Sequence, residues 1–228
     1  MKQELTEQKK KIAKDWENAF PELTLYSQNK LYKITGCVVI GLELVKLPRS
    51  EDYRPYFVVY PLWQGDIKKC LDVPIILKEF KTKKGLQFSI SYNKHSLLFD
   101  EVLESVTRQL PLSFKNEISM KMLFSVIDDY SKVPPLSAAP NSYLQAVLQE
   151  AKFSIALYIS AAEAKIVLEQ INNKNWDTDQ FSMWNIDLDK WLKNLKEKLH
   201  LREEFLRQIA INKQDKQIEK LKICELIE

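Results

Sequence analysis

Residues 142 to 171 read SYLQAVLQEAKFSIALYISAAEAKIVLEQI, and the spacing of their apolar side chains decides the fold. Leu144, Val147, Leu148, Ala151, Ile155, Ile159, Ala162 and Ile166 recur at steps of three and four, which stacks them on one face of a helix. Phe153, Leu157, Ala161, Ala164, Leu168 and Ile171 follow the same rule on a neighbouring face. A surface helix carries one apolar stripe, so a helix with two must be covered from two sides. The alanines and serines spaced through it let other elements approach its backbone. This segment is expected to be one long buried helix at the centre of the C-terminal half.

Working outward, the 228 residues suffice for a sizeable core without disulfides or metal. Basic and acidic side chains, 34 against 31, leave a net charge of +3, which points away from nucleic acid or an anionic membrane as partner. Cys37, Cys70 and Cys224 lie far apart with no C-x-x-C, which suits reduced thiols in a cytoplasmic protein. The N-terminus, MKQELTEQKKKIAKDW, lacks the apolar run of a secretory signal. The apolar run from Phe153 to Ala162 is about half the length that spans a bilayer, so no membrane segment is expected.

Residues 2 to 19 pattern as an amphipathic helix packing through Trp16 and ending before Phe20-Pro21. Strand periodicity takes over from Leu23. Ile34, Val38, Ile40, Leu42 and Leu44 share one face of an extended segment, with Gly36 and Gly41 marking a bulge or a close approach. After the polar link at residues 48 to 52, Tyr56 to Tyr60 reads as an inner strand antiparallel to the first. A further strand covers residues 74 to 80. Another is expected at residues 86 to 92, where Leu86, Phe88, Ile90 and Tyr92 alternate with polar residues.

Helices follow: one through Leu98, Val102, Val106 and Leu110, and one opened by Asn116 and Glu117 and carrying Met120, Leu123 and Ile127. Residues 131 to 140, with Pro134, Pro135 and Pro140, read as a stiff extended connector, and Asn141 or Ser142 caps the long helix. Beyond Asn172, Trp184, Leu188, Trp191, Leu195 and Leu199 form one helical stripe that Phe205, Leu206 and Ile209 extend. The stripe lapses over NKQDKQ, residues 212 to 217, and resumes at Ile218, Leu221 and Cys224. The fold class is therefore α+β: an N-terminal helix, an antiparallel sheet over residues 23 to 92, then a mainly helical half built on the long buried helix. The organisation expected is a sheet-containing part at 1 to 133 and a helical part at 141 to 228, acting as one cooperative unit.

No phosphate-cradling glycine loop, nucleophile elbow or paired-ligand metal spacing occurs. His95 and His200 are isolated, which suits hydrogen-bonded or solvated roles, and the acidic pairs Asp128-Asp129, Asp177/Asp179 and Asp187/Asp189 suit helix caps. Plentiful apolar helix and aromatic surface instead suggests an intracellular protein that binds another protein without catalysis or cofactor. An inhibitor, immunity or adaptor role in a bacterium would fit. The expected contacts are Trp184, Leu188, Trp191, Phe205, Ile209, Ile218 and Leu221, with the last segment either folding back as a short helix or projecting as an arm that could also mediate homo-oligomerisation.

One alternative is enzymatic. Asp66, followed by Glu79-x-Lys81 at the end of an apolar strand, resembles the restriction-endonuclease-like nuclease motif over residues 66 to 81, although Gly65 stands where that motif has proline. The resemblance implies a magnesium ion held by Asp66 and Glu79, with Lys81 orienting or activating water.

Overall fold

The computed structural model describes residues 2 to 115 and 117 to 228, with side chains described from Leu5 onward. Helix α1 (Lys2–Ala19) leads into strands β1 (Thr24–Ser27), β2 (Lys30–Thr35), β3 (Val38–Lys46) and β4 (Asp52–Pro61). The short α2 (Ile67–Cys70), β5 (Ile76–Glu79), β6 (Ile90–Ser91) and α3 (His95–Gln109) follow, then β7 (Ile118–Ser119) and α4 (Met120–Ser131). The remainder is α5 (Tyr143–Ile159), α6 (Ala161–Asn172), α7 (Thr178–Met183), α8 (Leu188–His200), α9 (Arg202–Lys213), β8 (Lys222–Cys224) and β9 (Leu226–Ile227). The expected α+β class is thus present, in the expected order.

Strands β1 to β5 form an antiparallel sheet in chain order. Residues 33 to 44, expected as one extended segment, turn back at Gly36-Cys37, where Gly36 takes a φ of 52° at the first loop position. The turn escapes notice in the sequence because β2 and β3 are buried on both faces, and a continuous apolar run hides the punctuation. Gly41 is the close approach. A Cβ built there would lie 1.9 Å from the Leu31 carbonyl oxygen and 2.9 Å from the Tyr32 ring. Gly41→Ala is expected to cost about 3 kcal/mol or more, because backbone must shift. Urea denaturation measures it, and a loss below about 1 kcal/mol would show that the β2–β3 spacing relaxes freely.

The face carrying Leu31, Ile40, Leu42, Tyr53 and Phe57 is closed by α1 and α3. Trp16 stacks on Phe20, meets Phe99 edge-on and donates its indole N–H to the Tyr53 hydroxyl at 3.2 Å. Phe114 packs against both Phe20 and Phe57. The alternation at residues 86 to 92 is real on one count, since Phe88, Ile90 and Tyr92 are buried while Gln87 and Ser89 face water. The full strand is not formed. β5 already occupies β4 from Tyr56 to Val59, so Ile90 and Ser91 pair with β4 at Tyr53 and Asp52, Gln87 makes an isolated antiparallel bridge with Lys81, and Leu86 is 64% exposed.

The long helix is two. Ser160 adopts extended φ and ψ of −156° and 158°, ends α5, and accepts the Glu163 N–H on its hydroxyl at 3.1 Å to begin α6. Ser160-Ala161-Ala162-Glu163 has the capping-box spacing, a signal that the continuing apolar stripes obscured. Within α5 the two-sided burial holds: every residue from Ala151 to Leu157 is buried. Lys152, among them, is neutralised by Asp128 of α4 at 2.9 and 3.0 Å. Arg202 of α9 donates to the carbonyls of Leu157, Tyr158 and Ile159, closing the C-terminal end of α5.

Residues 131 to 140 are not extended. Leu136–Ala138 forms a 3₁₀ turn, and the Gln145 amide bridges the carbonyls of Ser131 and Leu136 at 2.9 Å each. Ser142 holds the N-cap position of α5, and Ser119 caps α4 at Met120; the expected start at Asn116 lies outside the described residues.

The largest correction is at the C-terminus. The expected single stripe from Trp184 to Ile209 is divided among the turn after α7, α8 and α9, and the last segment folds back, ending in short strands and not in a helix or a projecting arm. Asn212, in the apolar gap, is buried and donates to the carbonyls of Leu62 and Gln64 at 2.9 and 2.7 Å. Phe205, Ile209, Ile218 and Leu221 are core residues. β8 then adds to β2 in parallel, pairing Lys33–Thr35 with Lys222–Cys224, and β9 pairs with β7. β1 covers the first half of the same β2 edge and β8 the second.

Candidate functional site

The three nuclease-motif residues do not converge. Asp66 is the N-cap of α2, accepting the Lys69 N–H at 2.9 Å, and lies beyond the end of β4. Glu79 pairs across the ladder with Tyr56, five residues back along β4 from Pro61, roughly 17 Å at a strand's rise. Its carboxylate is held by Arg54 at 2.8 Å and by Gln87 at 3.1 Å. Lys81 uses its backbone to bond Gln109 and Ser105 of α3. Among the described residues no group of three or more His, Cys, Asp or Glu side chains is placed to hold a metal ion.

Two polar clusters are buried and satisfied. His95 sits between the Tyr53 hydroxyl at 2.7 Å and Asp15 at 3.0 Å. An ionised Asp15 only accepts, which puts the imidazole proton on Nε2 and makes Nδ1 the acceptor for Tyr53. Trp16, Tyr53 and His95 therefore donate in sequence toward Asp15, pinning α1 and α3 to β4; burial lowers the His95 pKa against the opposing pull of Asp15. Glu43 accepts from the hydroxyls of Tyr32 and Tyr60 and from Lys30 at 3.0 Å, and burial raises the pKa of both phenols. Neither cluster leaves a group free to attack a substrate. The buried thiols of Cys37 and Cys70 are pushed up to about 12 and about 11, far from the thiolate that a nucleophile needs.

Of the acidic pairs, Asp177 and Asp187 are the N-caps of α7 and α8. These caps build the most prominent exposed aromatic feature. Phe181, Trp176 and Trp191 meet edge-to-face at 5.6 to 5.8 Å, and Trp191 also donates to Glu150 at 2.9 Å. Tyr143 of α5 packs on Phe181 at 5.4 Å and carries the Trp184 ring at 6.1 Å. α7 ends at this point, and Asn185 turns the chain with a φ of 55°. Met183 and Trp184 are left 74% and 51% exposed, with the Trp184 ring resting on Tyr143 of this aromatic base. Beside them lies a cavity of about 520 Å³ whose walls include Tyr143, Asp187, Lys190 and Lys198.

Of the seven residues expected to meet a partner, Trp184 is thus accessible and Leu188 half-buried. Trp191, Phe205, Ile209, Ile218 and Leu221 are buried in the chain's own core. The helical-face argument linking Trp184 to Trp191 fails because Trp184 lies in the turn after α7 and Trp191 on α8. Tyr143 joins Trp184 only through tertiary packing and carried no signal in the sequence, while Met183 is its neighbour in the chain. No helix among the described residues is long and apolar enough to cross a membrane. Compared with family models, curated proteins and solved structures, the chain gives no match.

Proposed function

We propose that this chain works by binding another protein, with no catalysis of its own, and that Trp184 and Met183 are the centre of the contact. The observation that carries this reading is the exposed pair, with the Trp184 ring resting on Tyr143. A ring already held in place loses little conformational freedom on binding, and large aromatic and methionine side chains are enriched at the energetic centres of interfaces. The flanking Asp187, Lys190 and Lys198 supply a polar rim. Such a contact suits an inhibitor or adaptor inside a cell.

The test uses the full chain and a Met183→Ala/Trp184→Ala double variant as baits in extract of the native host. The expected result is one protein recovered in stoichiometric amount by the parent chain and at least about tenfold weaker binding by the variant. Equal recovery by both, or no stoichiometric partner, would overturn the reading. So would magnesium-dependent cleavage of labelled DNA or RNA that disappears in Glu79→Ala.

A further inference from the structure

The outer edge of β5 opens onto a groove, and the ladder shows which backbone groups face it. Leu62 donates to the carbonyl of Cys37 and Leu47 to that of Asp52, each at 2.9 Å, which fixes the alternation of the β3–β4 ladder. Even-numbered residues of β4 point their amides toward β3; Phe57 and Val59 point theirs toward β5, opposite Lys78 and Ile76. Leu77 and Glu79 therefore direct N–H and C=O away from the sheet. Side chains mimic a neighbouring strand at the two ends of this edge. The Tyr130 hydroxyl donates to the Leu77 carbonyl at 3.4 Å, while Gln109 and Ser105 satisfy both backbone groups of Lys81. Between them, the Leu77 N–H and both backbone groups of Glu79 have no hydrogen-bond partner among the described residues.

The groove alongside has a volume of about 690 Å³. Its apolar wall is Leu77, Met122, Val126 and Tyr130. Its charges are unequal in their commitments. Glu79 is held by Arg54 at 2.8 Å and Asp129 by Lys132 at 3.0 Å, whereas Lys78 and Lys81 make no ion pair among the described residues. The site thus offers strand-type hydrogen bonds, apolar contact and two lysines outside any ion pair, Lys78 having Asp129 of the same groove as its opposing charge.

We infer that this edge accepts an extended acidic peptide segment of another protein, which adds to the sheet beside β5 with one carboxylate against Lys78 on one face and another against Lys81 on the opposite face, and with apolar side chains on Met122 and Val126. Strand addition draws affinity from main-chain bonds and specificity from alternate side chains. A second copy of this chain is disfavoured as occupant, since pairing two β5 edges would set one pair of lysines against the other, and lysine on an edge strand opposes such pairing. The site stands apart from Trp184 and does not depend on it.

The experiment pans a display library of random peptides of about 12 residues on the full chain, on Lys78→Glu/Lys81→Glu and on Trp184→Ala. Enriched sequences should carry acidic residues at an odd spacing, one for each face, among apolar residues, bind the double lysine variant at least about tenfold more weakly, and bind Trp184→Ala unchanged. Charge-swapped versions of the same peptides should bind the double variant, which also shows that it folds. Amide exchange at Leu77 and Glu79 should slow on binding. Failure to enrich any sequence, enrichment without acidic residues, equal binding to the double variant, or unchanged exchange at Leu77 and Glu79 would each overturn the inference. So would a homodimer that the double variant abolishes.

Discussion

Deleting residues 214 to 228 is expected to abolish cooperative folding, leaving a chain with no sharp thermal transition and with exposed apolar surface. Ile218, Leu221 and Leu226 are all buried, with Ile218 at 0% exposure. Burial of three such side chains is worth about 6 kcal/mol, comparable with the whole stability of an ordinary domain. The loss is not only apolar. β8 covers the Lys33–Thr35 edge of β2, and the Gly36 amide donates to the Cys224 carbonyl at 3.0 Å. Without β8 that edge becomes a template for intermolecular pairing, so the truncated chain should aggregate as well as unfold. Circular dichroism melting together with sedimentation separates the two effects. A truncated chain that melts within a few degrees of the full chain, as a monomer, would show that the returning segment is ornamental to the core. Ile218→Asp in the full-length chain isolates the apolar part, and should on its own remove more than about 3 kcal/mol.

The arm expected from the sequence implies the opposite outcome for that deletion, and the difference has a physical origin. Helical stripes are legible because their period is local: α1 and the α5 stripe can be read from neighbouring residues alone. β8 has three residues and β9 two, and they pair in parallel with strands that lie most of the chain away for β8 and about half the chain away for β9, so no local pattern announces them. Asn212 misleads for a related reason. A polar residue in an apolar stripe reads as a gap, yet its amide is buried and bonded to Leu62 and Gln64, anchoring α9 as firmly as an aliphatic side chain would.

The candidate sites divide along the same line. Trp184 is visible in the sequence as an aromatic, but its exposure depends on α7 ending one residue earlier. The open edge of β5 is invisible until strand order and ladder alternation are known. Conversely, Asp66 and Glu79-x-Lys81 match a motif by spacing, while Asp66 caps α2 beyond the end of β4 and Glu79 lies opposite Tyr56, further back along β4. Spacing along the chain implies proximity only within one helix face or one strand pair.

The second large effect concerns α5. Ile155 and Leu157 are each 0% exposed. Two residues apart on a helix, they point roughly 200° from one another, so their joint burial means that the helix is covered on opposite sides. Ile155→Asp and Leu157→Asp are each expected to cost more than about 3 kcal/mol, because a carboxylate in a dry core either stays ionised without hydration or takes up a proton at a cost. Rescue by a neighbouring cation is blocked. Lys152, three residues before Ile155, is already engaged by Asp128, and Arg202 at the end of the helix is engaged by three carbonyls. Leu144→Asp serves as the control, since Leu144 is 40% exposed on the first turn of the same helix and should lose no more than about 1 kcal/mol. Urea denaturation of the three variants decides the matter: if either Ile155→Asp or Leu157→Asp behaves like Leu144→Asp, one side of α5 is open to water and the helical half is not built around it.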